Sequence, residues 1–180
     1  YFPDNSDDEE KILCRYPQFY VALSLFNNIQ KNLKPNGSGK GGTYFGATGC
    51  GKSHTMLFLS RLIMKNKSLG SPTIIFITDR TDLDDQLSKL FENSKNFLFD
   101  ENISSVESRN DLKEKLKNRK SGGIFLTTIQ KFSEDIGLLT ERANIIVIAD
   151  EAHRSQLNIE EKIEINTESF KSKFGFAKYL

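Results

Sequence analysis

Apolar residues recur at steps of three and four near the start of the chain: Phe19, Ala22, Leu23, Phe26, Ile29 and Leu33. That spacing puts them on one side of a 3.6-residue repeat and predicts an amphipathic helix. The helix ends in KPNGSGKGG, residues 34–42, a run of turn formers. Thr43, Tyr44 and Phe45 follow and are β-prone, which predicts a short strand. HTMLFLSRLIMKN, residues 54–66, is apolar almost all round and predicts a helix buried between other elements. Three β-branched apolar runs then read as buried strands: TIIFITD (73–79), IFLTT (124–128) and IIVIA (145–149). Thr81, Asp82 and Asp84 suit the cap and first turn of a helix. DLKEKLKNRK, residues 111–120, predicts a polar helix. Strands alternating with helices imply right-handed crossovers and an α/β fold, a parallel sheet with helices on both faces.

Between the predicted strand at 43–45 and the helix lies GATGCGKS: Gly46, Ala47, Thr48, Gly49, Cys50, Gly51, Lys52 and Ser53. It fits the P-loop pattern G-x-x-x-x-G-K-[ST] at every fixed position. A triphosphate concentrates several negative charges in a small volume. Backbone N–H groups at a helix N-terminus can face it only where side chains stay away, hence Gly49 and Gly51. In this reading Lys52 reaches the β- and γ-phosphates of a nucleotide, and the Ser53 hydroxyl ligates Mg²⁺. Thr48, Cys50 and His54 complete the expected nucleotide-binding segment. The plain alternative is a tight glycine turn beside a surface lysine. Gly39-Lys40 is not a second such loop, because Gly41 stands where Ser or Thr is required.

IIVIADEAHRSQ supplies the matching acids. An Asp150-Glu151 pair at the C-terminal tip of a strand sits where open α/β sheets bind ligands. Asp150 is expected to hold Mg²⁺, directly or through water, and Glu151 to orient and deprotonate the attacking water. The alternative is a pair of acids capping the next helix.

Composition narrows the partners only a little. The chain has 180 residues, 27% charged and 37% hydrophobic, with a formal net charge of +1. That length suits one domain, and the charge puts any nucleic-acid site in a local patch. The acidic run Asp4, Asp7, Asp8, Glu9 and Glu10 reads as a solvated linker. Two cysteines, Cys14 and Cys50, make no disulfide framework, so a reducing, cytoplasmic compartment is expected. No apolar run approaches the roughly 20 residues that span a bilayer, so no membrane partner is expected. No Cys/His spacing suggests zinc.

DEAH at 150–153 together with GATGCGKS resembles superfamily 2 helicases and translocases. The strings DEAHRSQ, TDRTDLDDQL, TTIQKF and FGFAKYL narrow the resemblance to the motor part of the R subunit of type I restriction enzymes. It covers nearly all of the chain after Arg15. The resemblance implies a three-layer RecA-like P-loop NTPase lobe with a mostly parallel central sheet. Residues 15–180 would be the first motor lobe, and residues 1–14 a linker from a preceding domain. It implies ATP and Mg²⁺ as cofactors and double-stranded DNA as the track. The partners it implies are a second RecA-like lobe and a nuclease domain of the same full-length protein, and methylase and specificity subunits of a restriction complex. Arg15 and Gln18 in RYPQ would recognise adenine, Gln18 through its amide and Arg15 or Tyr16 by stacking; the alternative is an ordinary helix start at Pro17. Arg80, Thr128 and Gln130, with Thr127 and Lys131 beside them, would touch the DNA backbone; the alternative is polar residues at strand-to-helix turns. His153 would couple the nucleotide site to the next motif. The family's Ser/Thr-Ala-Thr coupling motif and arginine finger are not in this sequence, so a fragment of a larger protein is expected. Another superfamily 2 helicase lobe, and a scaffold that holds ATP without turnover, stand as alternatives.

Overall fold

The computed structural model describes residues 3, 11–79, 81–100, 102–117, 119–129, 140, 142, 144–150, 162–166 and 169–173. Its centre is a four-stranded sheet of β1 (Thr73–Thr78), β2 (Ile103–Ser105), β3 (Ile124–Thr128) and β4 (Ile145–Ala149), all parallel, in the order β2-β3-β1-β4. Ile74 of β1 lies opposite Ile124 on one side and Ile146 on the other. A separate antiparallel pair, β5 (Lys162–Asn166) and β6 (Ser169–Lys173), follows.

β1 explains the layers. All six of its residues are buried, so both faces of the sheet must be covered. Ile74 and Phe76 point into one core, shared with Ala22 and Phe26 of α1 (Tyr16–Asn32), Leu57 and Ile63 of α2 (Lys52–Lys65), and Leu87 and Phe91 of α3 (Thr81–Glu92). Ile75 and Ile77 point into the other, with Leu112 and Leu116 of α5 (Arg109–Lys117), Val106 and Phe125. A short α4 (Lys95–Leu98) adds Leu98 to the first core. The result is the expected three-layer α/β arrangement. The chain moves outward from β1 to β2 over one face, through α3, and steps back to β3 over the other, through α5. Reversing direction while changing face keeps one crossover hand.

The direction of α2 positions the candidate site. Its foot is tied to the amino ends of the strands: Asn144 Nδ2 donates to Gly70 O at 3.0 Å, and Thr73 N donates to Asn144 O at 3.1 Å. Packed on the sheet through Leu57, Leu59 and Ile63, a 14-residue helix reaches back about 21 Å, roughly the length of a six-residue strand. Lys52 at its head therefore stands at the carboxyl edge of the sheet.

Three expectations need correction. Residues 43–45 form no strand: no ladder pairs them among the described residues, and Phe45 is 97% exposed. β4 is an edge strand and not a buried one, because only β1 pairs with it among the described residues, and Val147 is 38% exposed. In α1 the buried face is shifted: Phe19 is exposed, and polar Gln18 is buried in its place at 6%. β2 and α4, of three and four residues, are too short to show a period. No helix among the described residues is long and apolar enough to cross a membrane.

The aromatic rings of Phe76 and Phe91 meet at 4.8 Å between centroids, both essentially inaccessible to water. Phe91→Ala should therefore destabilise the fold by about 3–5 kcal/mol, as large-to-small changes of buried aromatics do. Urea unfolding of the variant would check it, and a loss below about 1 kcal/mol would show that α3 does not lock onto β1.

Candidate functional site

The glycine loop bends through two left-handed positions, Gly49 at φ +79° and Gly51 at φ +83°. Residues other than glycine rarely adopt these angles. Cys50 N donates to Ala47 O at 3.3 Å and closes the turn between them. Gly51 is the cap of α2, and its carbonyl receives Thr55 N at 3.0 Å and Thr55 Oγ1 at 3.2 Å. The first N–H groups of the helix thus have no acceptor behind them in the chain and point out of the helix end. Lys52 folds across the loop, its Nζ donating to Gly46 O at 3.1 Å. An ammonium carries three donors, and Gly46 takes one. Thr48, Gly49 and Ser53 are exposed, while Cys50 and Lys52 are half-buried. Tyr44 Oη lies 3.5 Å from Cys50 Sγ. The loop is an anion cradle made of backbone N–H groups, a helix N-terminus and one lysine.

Three more of the expected nucleotide-site residues gather beside it. Arg15, the cap of α1, donates its backbone N–H to Gln18 Oε1 at 2.9 Å. Gln18 Nε2 donates to Gly51 O at 3.2 Å. His54 feels the Arg15 charge: burial first, and that charge second, hold its pKa below the ordinary histidine value. His54 is therefore neutral at pH 7. The heads of α1 and α2 meet here, so Arg15, Gln18, Gly51 and His54 form one cluster.

On the sheet side, Asp150 follows β4 directly and its backbone N–H donates to Ile77 O at 2.8 Å. This bond continues the β1–β4 ladder and fixes Asp150 at the carboxyl tip, half-buried. Among the described residues no group of three or more His, Cys, Asp or Glu forms a metal cluster. Mg²⁺ needs none: it keeps several waters and takes one or two carboxylates plus substrate phosphates. The exposed Ser53 hydroxyl and the Asp150 carboxylate are oxygen donors of that kind, on the same edge of the sheet.

The remaining expected residues fall differently. Thr128 is 1% exposed and Thr127 is fully buried, both inside β3, so neither side chain offers a surface to DNA here. Thr127 Oγ1 has no hydrogen-bond partner among the described residues. Glu151, His153, Arg80, Gln130 and Lys131 lie outside the described residues. Two residues that shape the loop carry no motif signal. Thr55 stands four positions after Gly51, the offset at which a hydroxyl bonds back to a helical carbonyl, and that offset could have found it. Tyr44 reads from its propensity as part of a strand, which hides its place beside Cys50.

A family profile described as SWI2/SNF2 ATPase matches residues 17–177. The chain is 35% identical over 175 residues to the type I restriction enzyme HindI endonuclease subunit of Haemophilus influenzae, covering 94% of this chain and 16% of that protein. It is 39% identical over 156 residues to the putative type I restriction enzyme MjaIXP endonuclease subunit of Methanocaldococcus jannaschii, covering 82% and 14%. A shorter relative, the C-terminal part of the putative type I restriction enzyme MpnIIP endonuclease subunit of Mycoplasma pneumoniae, is 32% identical over 152 residues, covering 80% and 70%. The chain thus spans about a sixth of the length of the first of these relatives.

The two left-handed glycines differ in surroundings, and this separates them experimentally. A Cβ on Gly49 would meet nothing within 4 Å, whereas one on Gly51 would collide with Gln18 Nε2. Gly49→Ala should cost about 1–2 kcal/mol from backbone strain alone. Gly51→Ala should cost more than that, because Gln18 must also move. Thermal unfolding of both variants checks the order, and equal losses would show that Gln18 does not press on the loop.

Proposed function

The chain belongs to the SWI2/SNF2 ATPase family and to the endonuclease subunits of type I restriction enzymes, and from that premise we propose that it is the ATP-hydrolysing first motor lobe of a DNA translocase. In this reading residues 15–180 are the RecA-like lobe and residues 1–14 a linker from a preceding domain. The protein works in the cytoplasm, with a second lobe and a nuclease domain in the full-length protein and methylase and specificity subunits as partners. The observation that carries the reading is the shared edge: an anion cradle at the head of α2 stands at the carboxyl end of the same sheet whose β4 delivers Asp150.

Each residue has a chemical task. The N–H groups from Gly49 to Ser53 and the Lys52 ammonium bind the β- and γ-phosphates of ATP and offset their charge where it builds up during transfer. Ser53 and Asp150 are the residues that would hold Mg²⁺, which would supply further charge neutralisation. Glu151, next to Asp150, orients a water and accepts its proton as the water oxygen bonds to the γ-phosphorus and the bond to the bridging oxygen breaks. Arg15 and neutral His54 flank the entrance from the α1 side, where the base would lie. Arg80 and Gln130, just after β1 and β3 in sequence, are the candidates for phosphate contacts along duplex DNA, and His153 links nucleotide to track.

Two variants test this. Lys52→Ala should abolish Mg-ATP binding by the intact protein in calorimetry; an unchanged affinity would remove the nucleotide-site assignment. Glu151→Gln should keep ATP bound and slow single-turnover hydrolysis by about 10²–10⁴-fold, the usual contribution of a general base. Near-normal hydrolysis in that variant would show that Glu151 is not the base. Wild-type turnover that duplex DNA does not raise would sink the translocase reading while leaving the ATPase intact.

A further inference from the structure

Phe99 stands where the backbone favours a glycine. It closes α4 in the left-handed region, at φ 56°, and it is 77% exposed. A bulky residue is strained there. Its neighbours hold it in place. Leu98 is buried in the first core, and the Asp100 carboxylate turns inward, accepting from Asn102 N and from Gly123 N at 2.8 Å each. Backbone strain at an exposed aromatic residue points to a use beyond the fold itself.

That use involves Arg61 of α2. Its guanidinium lies 3.9 Å from the centre of the Phe99 ring and 5.3 Å from that of Phe97, and Phe97 meets Phe58 edge-on at 6.3 Å. One exposed cation–π contact is worth no more than the strain at Phe99, so it does not by itself account for the ring. The cation is also incomplete. Its Nη1 is closed off from water and has no hydrogen-bond partner among the described residues. Burial lowers the Arg61 pKa, as it does for a charge short of solvent. Arg61 as a whole is half-buried, so the outer edge of its fork stays within reach.

The surroundings carry one sign of charge. Lys65 stands one turn after Arg61 on α2, and Lys95 opens α4 one turn before Phe99. Neither helix contains an Asp or Glu, and among the described residues no carboxylate pairs with Arg61, Lys65 or Lys95. A guanidinium held against aromatic rings suits a carboxylate, which it meets with two parallel bonds. The patch stands about 14 Å down α2 from Lys52, away from the carboxyl edge that carries the nucleotide-site residues. The stretch matched in the HindI subunit is 16% of that protein, which leaves most of such a polypeptide to supply a partner surface.

We propose that Arg61 and Phe99 anchor an interdomain contact within the full-length polypeptide. An acidic segment outside residues 1–180 brings a carboxylate to the outer edge of the Arg61 fork and an apolar side chain to the free face of Phe99, with Lys65 and Lys95 at the rim. The contact does not depend on the nucleotide-site reading.

The test places the photoreactive residue p-benzoylphenylalanine at position 99 of the full-length protein, where an exposed ring already stands. Irradiation and mass spectrometry should join that position to a peptide outside residues 1–180 that carries Asp or Glu, and the product should still run as one polypeptide in a denaturing gel. Crosslinks confined to residues 1–180, crosslinks to a second copy, another subunit or DNA, or none at all, would overturn the proposal. Arg61→Glu should lower the yield by about tenfold or more, because like charges across a contact repel. Replacing the mapped acid by lysine should restore it. A yield that Arg61→Glu leaves unmoved, or that the swapped charge does not restore, would also overturn the proposal. Arg61→Met keeps the stem against Phe97 and loses the charge. If it and Arg61→Glu both lack a melting transition in circular dichroism, Arg61 is architectural and the proposal falls.

Discussion

Everything in this lobe hangs on β1 having no exposed side. Its flanks are taken by β3 and β4, and its two faces feed separate cores, Ile74 and Phe76 into one, Ile75 and Ile77 into the other. Fully burying each of these side chains is worth about 1.5–3 kcal/mol. Parallel neighbours must arrive by crossovers, and the crossover helices cover the faces. The same constraint puts α2 against β1 with its head at the carboxyl edge. The site is a by-product of burying one strand completely.

At that edge two helix heads meet. α2 presents its free N–H groups, and α1 presents Arg15 and, just inside, Gln18. The local field there is positive from the α2 terminus and from Lys52. His54, in the same place, is kept neutral by burial and by the Arg15 charge. The concentration of positive charge is thus carried by groups that face the loop and not by every basic residue nearby. The net charge of +1 for the chain hides this asymmetry.

Much of this is legible in the sequence because the relevant signals are local or strongly periodic. TIIFIT, IFLTT and IIVIA are strands where apolar β-branched residues crowd, and GATGCGKS is a turn onto a helix because glycines permit it. What fails depends on neighbours. Residues 43–45 have strand propensity but nothing among the described residues to pair with, and propensity without a partner makes no ladder. Thr128 reads both as the end of a buried strand and as a contact for the DNA backbone, and the structure buries its side chain in β3. Gln18, and not Phe19, is buried at the head of α1, with its amide bonded to Arg15 N and Gly51 O. Glu151, His153, Arg80 and Gln130 are legible only as motif letters.

The strand order has a consequence for how the chain is made. Ile74 pairs with Ile124, and Thr73 with Ile145, so β1 meets neither neighbour until long stretches of later sequence exist. Contacts this distant along the chain are slow to form, because loop closure comes before any pairing is gained. During synthesis from the N-terminus, β1 emerges before either of its partners and waits with both its edges bare. α1 and α2 emerge before it and can shield one face, the Ile74 and Phe76 side. The other face, Ile75 and Ile77, has no cover until α5 has been made. The nascent lobe therefore passes through a one-sided state, sticky on a single face, before the sheet is closed.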